Sequence, residues 1–340
     1  RQRQMCIRDS IEDEHGLNGY SAVVSEKKIS DLAKYGLGRD QKIILDLGDH
    51  YVGHFSIDIT SVGSPMDAPL YLRVKFAEVP AEVVADSNDY DGWLSKSWIQ
   101  EEYIHLDVLP ARLELPRRYS CRFIELAVID TSPKWQASFS NPVFVAESCV
   151  AMEQLTSFEI QDDELSTIYD ISVKTLFDCM QEVFEDGPKR DRRLWIGDLR
   201  LQALANYATF GDLALTKRCL YLFGGMTTTD GKIPANVFTA PNLIPDDTFL
   251  FDYSLFFAVI LADFYYQTKD QEVLSDLYPA AKKQIDQALT LVDDEGRLNL
   301  LDEWPVFIDW SNEFEKSTAG QAVLIYALKR FIQLCLLYTS

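Results

Sequence analysis

Residues 184–198, FEDGPKRDRRLWIGD, crowd four carboxylates (Glu185, Asp186, Asp191, Asp198) among the cations Lys189, Arg190, Arg192 and Arg193, with Arg200 just beyond. Glycosidic bond hydrolysis needs two carboxyl groups, one protonated and one ionised, and contrasting environments can set their pKa values apart. A solvated, salt-bridged surface loop would have the same composition. Trp195 and Gly197 argue for a segment that packs in part. Two further stretches share its character: Glu303-Trp304-Pro305-Val306-Phe307-Ile308-Asp309-Trp310, and residues 232–250, KIPANVFTAPNLIPDDTFL. Sugars offer C–H faces that stack on aromatic rings and hydroxyls that pair with carboxylates and guanidinium groups. Carboxylates and tryptophans on neighbouring loops therefore suit a carbohydrate site. Each of Trp195, Trp304 and Trp310 could stack on a sugar or pack internally. Asp252 stands where a helix begins and reads as a possible cap.

Other chemistries find less support. The chain has 340 residues with 53 Asp and Glu against 32 Lys and Arg, a net charge of -21. That balance disfavours a nucleic-acid partner, which needs clustered cations to neutralise phosphates. The six cysteines are scattered without a C-x-x-C pair, so neither a zinc site nor a disulfide framework is expected. Free thiols fit a reducing, cytoplasmic setting. His50 and His54 lie in a strand-like stretch with no third ligand in view, so no metal is assigned. No run of about 18 uncharged apolar residues marks a membrane span.

Two kinds of element must position the loops. Between about residues 40 and 145 the apolar pattern has a period near two. Ile43–Gly48 reads as a strand ending in a turn, and Phe55, Ile57 and Ile59 share one face of the next. Leu70–Phe76, Glu102–Val108 and Arg122–Ile129 follow. These predict an antiparallel β-sandwich over residues 20–148. From residue 149 the pattern turns helical. It begins at Asp162-Asp163-Glu164, with apolar residues at Leu165, Ile168, Ile171, Leu176 and Met180, and acids at a helix start suit its dipole. Further helices are expected near 199–210, 212–223, 252–267, 271–292 and 318–337. The long loops 224–250 and 293–317 between them read as site-building segments. Residues 1–19 are expected to lie outside the fold. The first ten or so and the last six resemble foreign sequence joined to a fragment that continues in both directions.

The segment 186–198 resembles the catalytic loop of the glycoside hydrolase family 78 α-L-rhamnosidases through Asp186, Arg190, Asp191, Trp195, Gly197 and Asp198. ILDLGDHYVGHFSIDITSVGSP and RRYSCRFIELAVID resemble strands that precede the family's catalytic domain. FDYSLFFAVILADFYYQTKD resembles its helix ending in Y-x-x-T-G-D, and FIDWS its F-x-D-W loop. The pieces occur in the family's order over roughly residues 40–335.

The resemblance implies a β-sandwich followed by an (α/α)6 toroid, incomplete at the C-terminus. It implies inverting hydrolysis of terminal α-L-rhamnosides, with no metal or other cofactor and a rhamnose-containing glycoside as partner. Asp191 would be the general acid or, alternatively, a hydroxyl ligand. Asp186 and Asp198 would bind hydroxyls and tune pKa values. Arg190, Trp195, Trp304, Asp309 and Trp310 would bind substrate. Arg192 stands where many members carry the acid, which leaves open a carbohydrate-binding, non-catalytic relative. The family's general base is a glutamate on a later loop, expected beyond this chain. Glu303 and Glu313 are the nearest local carboxylates and are not assigned that role.

Overall fold

The computed structural model describes residues 5–13, 19–156, 158–308, 311 and 313–339. Contacts divide the chain into two compact units. One comprises residues 1–147 together with Pro188–Arg190, and the other comprises Ser148–Gly187 and Asp191–Ser340.

The first unit holds β1 (Cys6–Asp13), β2 (Tyr20–Val24), β3 (Gly36–Leu37), β4 (Gln41–Gly63), β5 (Leu70–Ala77), the short α1 (Pro80–Val84), β6 (Glu101–Leu106), β7 (Ala111–Glu114), β8 (Tyr119–Asp130) and β9 (Trp135–Ala146). The strands are antiparallel, ordered β2-β1-β4-β8-β5-β6, with β7 and β9 also on β4 and β3 on β9. The turn expected at Gly48 is instead a bulge within one 23-residue strand. Gly48 takes a positive φ of 78°, which bends the strand without reversing it. The first half of β4 pairs with β1 and β8, and the second half pairs with β7 and β9. One strand thereby serves both layers of the sandwich. Phe55, Ile57 and Ile59 are all buried, as the alternation requires.

The start of the chain departs from expectation. Cys6–Asp13 is a sheet strand and Ile7 is buried. Arg8 donates to the fully buried Asp46, which also accepts from Arg122. Burial alone would raise the Asp46 pKa, but the two guanidinium groups and the Gly48 amide hold it below the usual carboxylate range. A buried carboxylate needs such partners, so residue 8 is part of the fold.

A second polar knot involves Glu78. It accepts from Ser120 at 3.0 Å, meets His50 Nε2 at 3.0 Å, and pairs with Lys189 at 3.3 Å. Lys189 also pairs with Glu82. Burial opposes the Glu78 charge, yet the His50 and Ser120 hydrogen bonds and the Lys189 and His50 charges outweigh it and hold its pKa at about 2.

The second unit contains α2 (Asp163–Cys179), β10 (Leu194–Trp195), α3 (Ile196–Ala208), α4 (Leu213–Gly225), β11 (Asn236–Phe238), β12 (Ile244–Pro245), α5 (Phe251–Thr268), α6 (Gln271–Leu289) and α7 (Ser317–Thr339). Asp162, Asp212 and Asp270 cap α2, α4 and α6 by accepting amides of Leu165, Leu215 and Val273. Each satisfies a backbone donor that the helix leaves open. α5 is buried on nearly every side and packs against α3, α4, α6 and α7. Such all-round apolarity marks a central helix. In α2 the apolar pattern is only partly inward. Val173, Leu176 and Cys179 are buried, whereas Leu165, Ile168 and Ile171 are exposed. α7 is long and apolar enough to cross a membrane by length and composition. Its Leu324, Ala327, Phe331 and Leu334 belong to the core of this unit.

The Glu78 pKa is lower folded than the 4.5 of an unperturbed glutamate. Its contribution to stability is therefore complete above pH 4.5 and is lost as pH falls toward 2. Urea unfolding of the Glu78→Gln variant should show a flatter loss of stability across that window than the parent. An identical slope would exclude Glu78 as a source of it.

Candidate active site

The loop that carries the clustered charges is closed by its own backbone. Asp186 N–H donates to the Arg193 carbonyl at 3.0 Å, and Arg192 N–H donates to the Gly187 carbonyl at 3.2 Å. The Asp186 carboxylate accepts the Arg193 amide at 3.0 Å. Asp191 and Arg192 occupy left-handed conformations, φ 62° and 55°. Such residues persist only where their surroundings hold them. Beyond the closure, Leu194 and Trp195 form β10 and pair with Val237 and Asn236 of β11, which pairs in turn with β12. The long 224–250 segment thus supplies two strands that fix the exit of the charged loop. Arg193 lies over the Phe238 ring, 4.2 Å from its centroid. Asn236 is buried and donates to Asp246 at 2.6 Å.

Asp186 and Asp198 come together on this framework. Asp198 lies in the first turn of α3. Burial pushes the Asp186 carboxyl up to about 6, and the negative charges of Asp191 and Asp198 add to the rise against the Arg193 and Gly187 amides. Burial also raises Asp198. Of these carboxyl groups Asp186 feels both neighbours, and burial together with their charges disfavours its ionised form. It is then protonated more readily than a free carboxylate, and that proton is available to a leaving group.

Aromatic rings wall the corner. Trp195 is half-buried and meets Tyr253 edge-on, centroids 6.3 Å apart at 85°. Tyr253 also meets Phe307 at 5.6 Å. Gly197 leaves the space Tyr253 occupies, because a Cβ there would lie 2.5 Å from the ring's Cζ. Asp252 is not the cap at the start of α5. That position is Leu250, whereas Asp252 sits within the first turn at 1% exposure. Its two oxygens accept the amides of Phe307 and Ile308, each at 3.0 Å. Ile308 has a positive φ of 48°, and Lys316 donates to the Phe307 carbonyl at 2.8 Å. Asp252 therefore organises the loop rather than the helix end.

Other expected site residues fare differently. Trp304 is 2% exposed, with its ring edge against Phe251 at 5.1 Å. It is a core residue and offers no face to a substrate, because its apolar area is already spent on α5. Arg190 is exposed and is grouped with Pro188 and Lys189 in the first unit. Asp309 and Trp310 lie outside the described residues. Glu303 and Glu313 are exposed. His50 and His54 engage Glu78 and Glu147, and among the described residues no cluster of metal-ligating side chains occurs.

Sequence reasoning missed Tyr253 and the task of Asp252. The available signal was an Asp-Tyr pair opening an otherwise apolar run, since a carboxylate in such a helix needs a dedicated partner.

Residues 5–146 match the model of the glycosyl hydrolase family 78 alpha-rhamnosidase N-terminal domain, and residues 153–337 match that of the bacterial alpha-L-rhamnosidase six-hairpin glycosidase domain. No curated protein sequence matches the chain. Among solved structures, the chain is similar to a rhamnosidase from Klebsiella oxytoca with rhamnose bound. The identity is 43% and the TM-score 0.91, over 98% of this chain and 65% of that one. A Streptomyces avermitilis alpha-L-rhamnosidase complexed with L-rhamnose is 16% identical with a TM-score of 0.64, over 99% of this chain and 29% of that one. At that identity the likeness concerns the fold. The chain thus spans 65% of the Klebsiella structure and a smaller share of the Streptomyces one.

Two outcomes follow for the site. Asp186 is held folded with a pKa above the 3.8 of a free aspartate, so its charge costs stability above about pH 6 and the cost fades as pH falls toward 3.8. Asp186→Asn should raise the thermal midpoint at pH 8, with the gain shrinking toward pH 4; no gain at pH 8 would refute the strain. Asp252→Ala leaves two part-buried amides without their acceptor and should cost about 1–3 kcal/mol in chemical denaturation. A loss below about 0.5 kcal/mol would mean that the loop re-forms its bonds elsewhere.

Proposed function

Because the chain belongs to glycoside hydrolase family 78, we propose that the protein carrying it hydrolyses terminal α-L-rhamnosides with inversion at the anomeric carbon. The observation that carries the reading is Asp186, raised to about 6 by burial with the charges of Asp191 and Asp198 adding to the rise, on the segment that also carries Trp195. In this reading Asp191 protonates the glycosidic oxygen as the C1–O bond breaks. Asp186 and Asp198 accept sugar hydroxyls, and their charge favours the oxocarbenium-like carbon. Trp195 offers an apolar edge to the sugar's C–H face. A water attacks from the opposite side, and no described residue is assigned as the base that takes its proton.

A second reading has Asp186 donate the proton. Its raised pKa favours that role, since a donor must be protonated near the working pH. Leaving-group dependence separates the two. A rhamnoside with a poor alcohol leaving group needs the acid, whereas the 4-nitrophenyl rhamnoside does not. Asp191→Asn should lose about 10²–10⁴-fold on the poor leaving group and far less on the nitrophenyl substrate. The same asymmetry in Asp186→Asn alone would transfer the role to Asp186. Absence of hydrolysis by the parent protein, with binding of L-rhamnose retained, would make it a carbohydrate-binding relative.

A further inference from the structure

Tyr253 holds a polar atom that neither the fold nor the proposed mechanism uses. Its ring is only 9% exposed and is wedged against Trp195, Phe256 and Phe307. The ring's hydroxyl oxygen would lie 2.6 Å from a Cβ at position 197. It is therefore pressed against the first turn of α3, one residue before Asp198. The charges that act on the phenol are the carboxylates of Asp198, Asp252 and Asp186, and among the described residues none of them accepts a hydrogen bond from it. Burial first, and then these three charges, keep the phenol neutral, so it remains a hydrogen-bond donor. The hydroxyl oxygen is not among the side-chain atoms sealed from solvent without a partner, so on a mostly buried ring it is the atom open to a ligand or water.

The surroundings define what that ligand offers. Ionised carboxylates only accept hydrogen bonds, and a neutral phenol among them gives one. Adjacent sugar hydroxyls can satisfy both, since each donates to a carboxylate and accepts from the phenol. We propose that Tyr253 is a substrate-contacting residue, whose hydroxyl donates to one ring hydroxyl of the sugar held by Asp186 and Asp198. The inference rests on the rhamnoside reading of the same site. Asp252 and Gly197 then act as positioning residues for it. The carboxylate of Asp252 fixes Phe307 against the ring, and Gly197 leaves the space into which the phenol descends.

Calorimetric titration of the protein carrying this chain with L-rhamnose, its monodeoxy derivatives and a panel of other monosaccharides tests the inference. Tyr253→Phe removes one oxygen and keeps the ring, so its thermal midpoint should match the parent. Its affinity for L-rhamnose should fall about three- to tenfold, the size of one hydrogen bond from a neutral donor. For one deoxy sugar, the one lacking the contacted hydroxyl, parent and variant should bind alike. A structural role would weaken every sugar equally. Equal affinity of parent and variant for L-rhamnose, or a uniform loss across the deoxy series, overturns the Tyr253 assignment alone. If the parent binds a different monosaccharide and not L-rhamnose, the rhamnoside reading falls. Tyr253 is then judged by the same parent-to-variant ratio on that sugar. No binding of any sugar by the parent overturns both.

Discussion

A carboxylate inside an apolar helix is the constraint on which the helical unit turns. Asp252 sits in the first turn of α5, whose remaining faces are almost wholly buried. Its charge is tolerable there because two backbone amides, those of Phe307 and Ile308, point at its oxygens. That requirement fixes the loop that precedes α7. It sets Phe307 against Tyr253, and Tyr253 against the glycine at the start of α3. The position of Asp198 one residue later follows from the same packing. A single buried charge thus links three segments that are distant in sequence.

The opposite logic governs Asp186. Its backbone partners are too few to offset burial and the neighbouring negative charges, so the carboxyl is held above its ordinary pKa. Asp46 in the β-rich unit shows the contrast. It is more deeply buried than Asp186, yet Arg8 and Arg122 hold it below that range. Asp46 is given cations, Asp252 is given amides, and Asp186 has amides that do not offset its burial and the nearby negative charge. Strain of that kind concentrates where proton transfer is needed.

The β-rich unit depends on β4. A glycine bulge lets one strand run through both layers, so strands as far apart in sequence as β1 and β9 share a neighbour. The bend is local, whereas the pairing it permits is not. This is why the Ile43–Gly48 and Phe55–Ile59 patterns are both visible in the sequence while their continuity is not.

The residues alone determined a good deal. Period-two and helical patterns located the two architectures, because side-chain alternation and the 3.6-residue turn are backbone properties. The acids at 162–164 marked the start of α2, since contacts at a helix end are made within its first turn. The Asp186–Asp198 segment and the other matching pieces, in the same order, carried the resemblance to the family, and the long loops were legible as more than linkers. Tertiary structure decided what depends on partners from elsewhere in the chain. It placed Trp304 in the core while Trp195 stayed half-buried, although both are tryptophans on loops. It turned the exposed side of α2 toward Leu165, Ile168 and Ile171, because burial follows neighbouring helices rather than amphipathic pattern alone. It joined the 186–193 loop to β11 through β10 and brought Tyr253 beside Asp198. The chemistry-bearing segment 184–198 could be found from composition and order, but which of its carboxyls resists ionisation is set by burial and by nearby charge, and neither quantity is local in sequence.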